Sequence, residues 1–135
     1  MNLDWLAPFT VSTPAAIRAL ECLFAISAGI QTLEYLRMRP AMTVQGLWSW
    51  AIQRQDIPTP WVRAVLDALF TPSAFSTLLV LRFLALFSLA FQGSHLLNIG
   101  FLFVSNIAVL IRWRGAFNGG SDFMTLVVIT GLLIA

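Results

Sequence analysis

Four polar residues with the capacity for chemistry stand in segments that are otherwise almost entirely apolar. Arg82 lies in LLVLRFLALF, Glu21 lies in the first long apolar segment, and His95 and Asn98 begin another. An arginine in the middle of an apolar helix is costly in hydrocarbon, so it usually faces a bundle interior and a polar partner. We predict an ion pair between Arg82 and Glu21. We also predict that the four residues line one small polar cavity within the membrane.

Two kinds of role are open to this intramembrane polar cluster. The first is structural, because an ion pair between two helices holds them in register. The second is chemical, because Arg82 could contact a substrate anion or a quinone oxygen. His95 is the only histidine of the chain. Its imidazole could ligate haem or a (bacterio)chlorophyll, or it could form a hydrogen-bonded cap at the interface.

The segment RWRGAFNGGSD, residues 112–122, is a short polar hinge between two apolar stretches. Its arginines and tryptophan favour the membrane interface. Its two adjacent glycines permit a tight reversal before Ser121 or Asp122 caps the next helix. An alternative interpretation is functional, because arginines beside a glycine-rich helix start can bind an anion or a lipid headgroup. The residues of this candidate anion site are Arg112, Arg114, Gly119, Gly120 and Ser121.

Composition indicates an integral membrane protein of the helical type. Of the 135 residues 59% are hydrophobic and 10% are charged, whereas about a quarter are charged in an ordinary soluble domain. The mean hydropathy is +0.83. All eight basic residues are arginines, which excludes lysine chemistry, and the single cysteine, Cys22, excludes an intramolecular disulfide or dithiol. No basic run points to a nucleic-acid partner.

The apolar segments predict an all-α polytopic bundle that forms a single membrane domain over residues 1–135. A helix needs about 20 apolar residues to cross the hydrocarbon core, so we predict three full transmembrane helices and a shorter fourth. We expect the fourth to be buried against a partner or to belong to a longer chain. The predicted spans are 15–36, 73–91, 96–113 and 123–135, and amphipathic stretches predict interfacial helices over about 43–54 and 60–70.

The arginines are distributed unevenly between the two faces of the predicted bundle. Four lie between spans one and two, two follow span three, and the turn at 92–95 contains none. Because arginine accumulates in cytoplasmic loops, we expect loops 37–71 and 112–122 to be cytoplasmic and the N-terminus to face the periplasm or exterior. The predicted location is therefore the inner (cytoplasmic) membrane of the cell.

Four motifs in this order resemble those of bacterial membrane proteins of the HTTM type: QTLEYLRMR, GLWSWAI, LRFLALF and IRWRGAFNGGSDFMTLVVITGL. Such proteins are relatives of the membrane part of vitamin K-dependent carboxylase, and their bundle is similar to that of the DoxX and MauE redox-associated proteins. The resemblance covers most of residues 15–135 and implies an antiparallel bundle that forms the N-terminal portion of a larger module. No catalytic role is carried over, because the chain lacks the carboxylase's lysine base and a dithiol.

Three functions are compatible with these features. The first is a small multi-span subunit that packs against other membrane chains to assemble or stabilise a bioenergetic or redox complex, respiratory or photosynthetic. The second is part of an HTTM- or DoxX-like quinone- or redox-linked membrane enzyme. The third is a small oligomeric transporter. The expected partners are other membrane subunits and lipids, and the compatible cofactors are lipid, quinone, and haem or (bacterio)chlorophyll through His95.

Overall fold

A computed structural model describes residues 13–42, 49–113 and 120–134, and within these ranges it contains helices and turns but no β-strand. The prediction of an all-helical chain is confirmed for this part of the molecule. The helices are α1 (Thr13–Arg37), α2 (Trp50–Gln53), α3 (Pro60–Leu69), α4 (Pro72–Gln92), α5 (Leu96–Arg112) and α6 (Gly120–Ile134), with 3-10 turns at Arg39–Met42 and Arg54–Asp56.

The limits of α4 follow from three residues. Pro72 opens the helix. An amide proton at this position would have no intrahelical acceptor, so proline, which has none, loses no hydrogen bond there. The Thr71 hydroxyl oxygen accepts a hydrogen bond from the Ala74 amide at 3.3 Å, which satisfies one free donor of the first turn. Gly93 ends the helix with φ +86° and ψ −175°, a backbone region that is essentially restricted to glycine. The chain therefore reverses there before α5 begins.

Four helices, α1, α4, α5 and α6, pack together as an antiparallel bundle. α4 packs against both α1 and α5, and α6 packs against α5 and, less extensively, against α1. We call the end at which Gly93 joins α4 to α5 the turn end. The opposite end, where α1 and α5 finish near α2 and α3, is called the loop end.

Two apolar clusters fill the interior, one towards each end of the bundle. The turn-end cluster consists of Phe24, Ala25, Ala28, Leu86, Leu89, Ile99, Leu102, Ile129 and Leu132. The loop-end cluster consists of Tyr35, Leu66, Phe70, Phe75, Leu79, Ala108, Val109 and Trp113. Packing on both sides sets the register of the helices, and that register decides which polar residues meet between the clusters.

Within the described ranges, two helices are long and apolar enough to cross a membrane: α1, over Pro14–Arg37, and α4. The third predicted span, 96–113, forms a helix with nearly the predicted bounds, but its 17 residues, or about 26 Å of helix, do not confirm a full crossing. The apolar part of α6 is also short, at Phe123–Ile134. The predicted interfacial helix at 43–54 lies partly outside the described residues, and its described part contains only the four-residue α2.

Candidate functional site

Arg82 stands at the centre of a polar layer that joins three helices. It is 0% exposed, and all three guanidinium nitrogens donate hydrogen bonds. Nε donates to Thr32 Oγ1 of α1 at 3.2 Å, Nη1 to Ser105 Oγ at 3.3 Å, and Nη2 to Asn106 Oδ1 at 2.8 Å, the last two on α5. We call Arg82, Thr32, Ser105 and Asn106 the central layer.

The hydroxyl groups of the central layer are oriented by their own helices. Thr32 Oγ1 donates its proton to the Ala28 carbonyl at 2.7 Å. Ser105 Oγ donates to the Leu102 carbonyl at 2.9 Å. Each hydroxyl oxygen therefore keeps its lone pairs for the guanidinium group. An arginine side chain stays protonated in proteins, so the central layer holds a fixed positive charge and links helices rather than transferring protons.

The predicted ion pair between Arg82 and Glu21 is wrong. Glu21 pairs with Arg18 on its own helix, and its Oε1 accepts from the Ser94 amide at 2.8 Å. Along α1, Glu21 is 11 residues from Thr32, which corresponds to roughly 16 Å. The antiparallel register places Thr32, not Glu21, opposite Arg82. The missed signal is Arg18, which stands three residues before Glu21.

Arg18 fastens the start of α1 to the end of α4. Its Nη2 donates to the Ala90 carbonyl at 2.8 Å and its Nη1 to the Leu89 carbonyl at 3.2 Å. Both carbonyls belong to the last turn of α4, whose backbone oxygens carry partial negative charge, and the Leu89 carbonyl also accepts from the Gly93 amide at 3.0 Å. We call Arg18, Glu21 and their contacts with α4 and Ser94 the outer clamp.

The two remaining members of the predicted polar cluster lie elsewhere. Asn98 donates through Nδ2 to the Ala85 carbonyl at 3.0 Å and so joins α5 to α4. His95 is exposed at the start of α5, its side chain makes no capping hydrogen bond, and it lines a cavity of about 280 Å³ with Leu132 and Leu133 of α6. The prediction of one shared cavity is therefore wrong, because the register separates the four residues.

The predicted anion site at the hinge is only partly described. Arg114 and Gly119 lie outside the described residues, and Gly120 and Ser121 open α6. Arg112 is buried at the end of α5, where its Nη1 donates to Gln53 Oε1 at 3.1 Å.

Arg112 also lines a cavity at the loop end with two arginines that the sequence analysis used only for topology. This basic cavity has a volume of about 490 Å³ and is lined by Leu36, Arg37, Arg39, Pro40, Phe70, Pro72, Phe75, Ser76 and Arg112. The signal that sequence reasoning missed is the closeness of the ends of α1 and α5, which are far apart in the chain.

A second concave surface separates α1 from α6. This α1–α6 groove has a volume of about 470 Å³ and is lined by Leu20, Phe24, Ser27, Ile30, Gln31, Glu34, Met124, Thr125 and Val128. Ser27 and Glu34 are exposed, and Gln31 is half-buried. The groove therefore places polar side chains on the flank of a bundle whose other exposed flank on α1 and α4 is mainly apolar.

Comparisons with known proteins leave the chain without an assigned family. No protein-family model, curated protein or solved structure matches it. Within the part of the chain that the structure describes, no group of three or more His, Cys, Asp or Glu residues could hold a metal ion. The functional argument therefore rests on the central layer, the outer clamp, the basic cavity and the α1–α6 groove.

Proposed function

We propose that this chain is a small multi-span subunit of a larger membrane complex, in which a helix of another chain docks into the α1–α6 groove. The observation that carries the proposal is the groove itself, an open and largely apolar cleft between α1 and α6 in which polar side chains such as Ser27 and Glu34 stand among apolar ones. Three arguments support it: the nature of the exposed surface, the cost of the groove in hydrocarbon, and the distribution of arginines.

The exposed faces of the long helices are apolar. On α4 they include Leu84, Phe87 and Phe91. In the most apolar 18-residue stretch of each helix, only 33% of α1 and 28% of α4 is buried inside the bundle. The core helices of a soluble protein are mostly buried, so these two helices do not resemble them. Large contiguous apolar surfaces are rare on soluble monomers. An apolar exterior around the polar central layer supports placement in a bilayer.

The α1–α6 groove is the exception on this apolar exterior. Ser27 and Gln31 lie within the length of α1 that would cross the hydrocarbon, one helical turn apart. Polar side chains that face lipid lose hydrogen bonds to water, which is unfavourable. A partner helix with small or polar residues would shield the exposed Ser27 from lipid and fill the space between α1 and α6. An assembled complex therefore accounts for the groove better than an isolated bundle.

The positions of the arginines support an orientation for the subunit. Five of them lie at the loop end: Arg37, Arg39, Arg54, Arg63 and Arg112. By the positive-inside rule this end is cytoplasmic. The resemblance to the HTTM, DoxX and MauE types favours a redox complex of the bacterial inner membrane as the setting. The quinone-linked enzyme is less well supported, because the four-residue cavity that it needs is absent from the described structure.

Site-specific photo-crosslinking in native membranes tests the proposal. A benzophenone side chain is placed at Ser27, inside the groove, and in a matched control at Leu84, on the exposed apolar face of α4. Crosslinked products are identified by mass spectrometry. We expect the Ser27 probe to give one discrete product with a second membrane chain, and we expect the Leu84 probe to label lipid.

Two results would count against a subunit that docks through this groove. Equal lipid labelling from both positions would mean that the groove faces the bilayer. A Ser27 crosslink within a single polypeptide longer than 135 residues would mean that further helices of the same chain fill the groove. That second result would move the assignment to a larger HTTM-like membrane protein.

A further inference from the structure

We propose that the basic cavity at the loop end binds the phosphate group of an anionic phospholipid. The site would take one lipid headgroup at the cytoplasmic membrane surface and is separate from the α1–α6 groove. The inference does not depend on the identity of the partner chain. It rests on the charge of the cavity, on its apolar wall and on its position at the level of exposed tryptophan.

The charge of the cavity comes from three separate segments. Arg37 ends α1, Arg39 begins the 3-10 turn that follows, and Arg112 ends α5. No acidic residue is found among the described residues that line the cavity. Within the described chain, neither Arg37 nor Arg39 forms an ion pair with a carboxylate. The cavity therefore concentrates positive charge in a protein whose formal net charge is only +2.

Two acidic residues of the same end, Asp67 and Glu34, lie outside the cavity. Asp67 on α3 is engaged by Arg54 Nη2 at 2.8 Å and by Trp50 Nε1 at 2.7 Å. Glu34 is one turn before Arg37 but lines the α1–α6 groove instead. A phosphate oxygen in the cavity would meet arginines that can donate several hydrogen bonds in a planar arrangement.

Arg112 is held in place before any ligand binds. It is buried, and its Nη1 donates to Gln53 Oε1 of α2 at 3.1 Å. Arg37 and Arg39 are exposed. A buried, hydrogen-bonded cation together with two exposed cations suits an anion that arrives from the membrane surface, since the buried guanidinium is already ordered before the anion binds.

The other wall of the cavity is apolar, which distinguishes a lipid from a free phosphate ion. Leu36, Phe70 and Phe75 line it, and the exposed apolar faces of α1 and α4 continue from it towards the turn end. A phospholipid has this same division, with an anionic phosphate above a glycerol backbone and acyl chains. A free phosphate ion would make no use of the apolar wall.

Two tryptophans near the basic cavity indicate that the loop end lies at a membrane surface. Trp61 on α3 is 71% exposed, and Trp50 lies at the start of α2 beside Phe70. Exposed tryptophan is enriched where hydrocarbon meets headgroups. The basic cavity lies among these elements, so its arginines would stand at the depth of lipid phosphates, where each contributes to binding anionic lipid.

Native mass spectrometry of the full chain in neutral detergent tests the proposal. The delipidated protein is titrated with phosphatidylglycerol, with phosphatidylcholine of the same acyl chains, or with phosphatidylglycerol in the presence of inorganic phosphate. The variants are Arg37→Gln, Arg39→Gln and both together. The control is Arg63→Gln, which removes one charge from the same end but outside the cavity, where the guanidinium contacts the Ile57 carbonyl rather than a carboxylate. Circular dichroism checks that each variant keeps its helical content.

We expect one tightly bound phosphatidylglycerol, weak binding of phosphatidylcholine, and no displacement by millimolar phosphate. Each single cavity variant should weaken phosphatidylglycerol binding about fivefold and the double variant roughly thirtyfold, whereas Arg63→Gln should leave it within about twofold. Equal binding of the two lipids would overturn the proposal. Displacement by phosphate would assign a soluble anion instead, and an equal effect of Arg63→Gln would mean that diffuse surface charge, rather than this cavity, attracts the lipid.

Discussion

Arg18 and Arg82 both hold α1 against α4, yet the two arginines do so in different surroundings. In the outer clamp, Arg18 keeps 42% of its side chain exposed and pairs with Glu21 on its own helix. In the central layer, Arg82 is completely buried and donates to side chains on two other helices. The first site is partly local and partly solvated, and the second depends wholly on tertiary structure.

This difference predicts where the bundle is most sensitive to substitution. The ion pair of the outer clamp joins a partly exposed arginine to a buried carboxylate, so water and salt screen it from the side of Arg18. A buried guanidinium that loses an acceptor retains its desolvation penalty without compensation. Substitutions in the central layer should therefore destabilise the bundle more than substitutions of ion-pairing residues in the outer clamp. The unfolding free energy in mild detergent, measured by titration with SDS, compares the two sites directly.

Asn106→Leu should have the largest effect, because it removes the acceptor 2.8 Å from Arg82 Nη2. We expect a loss of about 2–3 kcal/mol in the free energy of unfolding. Asn98→Leu is the matched control on the same helix, and it should cost less than about 1 kcal/mol because only a neutral hydrogen bond to Ala85 is lost. Equal losses of unfolding free energy from the two substitutions would mean that the central layer is no more sensitive than an ordinary interhelical hydrogen bond.

A double substitution sharpens the same test. Arg82→Met together with Asn106→Leu removes the buried cation as well as its acceptor. We expect the double variant to lose less stability than the sum of the two single variants, because no desolvated charge is left behind. Strict additivity would mean that Arg82 and Asn106 contribute independently.

Gly93→Ala should destabilise the turn end by about 2 kcal/mol. An alanine there must adopt φ +86°, and its Cβ would lie 3.1 Å from Arg18 Nη1 of the outer clamp. Gly100→Ala on α5 is the control, because its added Cβ meets no atom within 4 Å. We expect that control to be neutral or stabilising by about 0.5 kcal/mol. A neutral Gly93→Ala variant would contradict the described turn.

Glu21→Gln should cost about 1 kcal/mol and should respond to salt. The amide oxygen can still accept from Ser94, but the charge that Arg18 meets is gone. Raising the ionic strength should reduce the difference in unfolding free energy between the variant and the unsubstituted chain, since Arg18 is partly solvated. A loss as large as that of Asn106→Leu would instead indicate that Glu21 serves Arg82, as the sequence alone predicted.

His95→Ala should have the smallest effect, within about 0.5 kcal/mol, because the imidazole is exposed and makes no capping hydrogen bond. The same variant tests the cofactor hypothesis that the sequence raised. Absorption spectra of the complex purified from native membrane are compared with and without the substitution. A haem or chlorophyll band that disappears with His95 would assign it as an axial ligand and contradict a passive surface position.

The sequence predicted the helical class and the general position of the charges. Proline and glycine mark the limits of α4, and long apolar runs between them permit little other than helices. Helix-breaking residues and hydrophobicity act locally, so they can be read without knowing the fold. The same reading identified Arg82 as an arginine that needs a partner, but it chose Glu21 because a carboxylate is the most obvious partner for a cation.

The limits of that reading show in the length of the third span. An apolar pattern over residues 96–113 predicted a full crossing, and the helix that forms, Leu96–Arg112, is shorter than α1 and α4. Hydrophobicity reports which residues avoid water. It does not report whether a helix of this length crosses a bilayer, nor that Trp113, directly after α5, stacks on Tyr35 of α1 at the loop end.

The sequence by itself determined that this chain forms apolar helices, that its arginines gather mostly at one end, and that a cation lies within α4. Only the tertiary structure decided that Arg82 binds Thr32, Ser105 and Asn106, that Glu21 binds Arg18, and that Arg37, Arg39 and Arg112 share a cavity. Local propensity and hydrophobicity act over a few residues. The register between helices is set by many side-chain contacts between distant segments. A shift of one helix by one turn would bring different polar residues opposite each other.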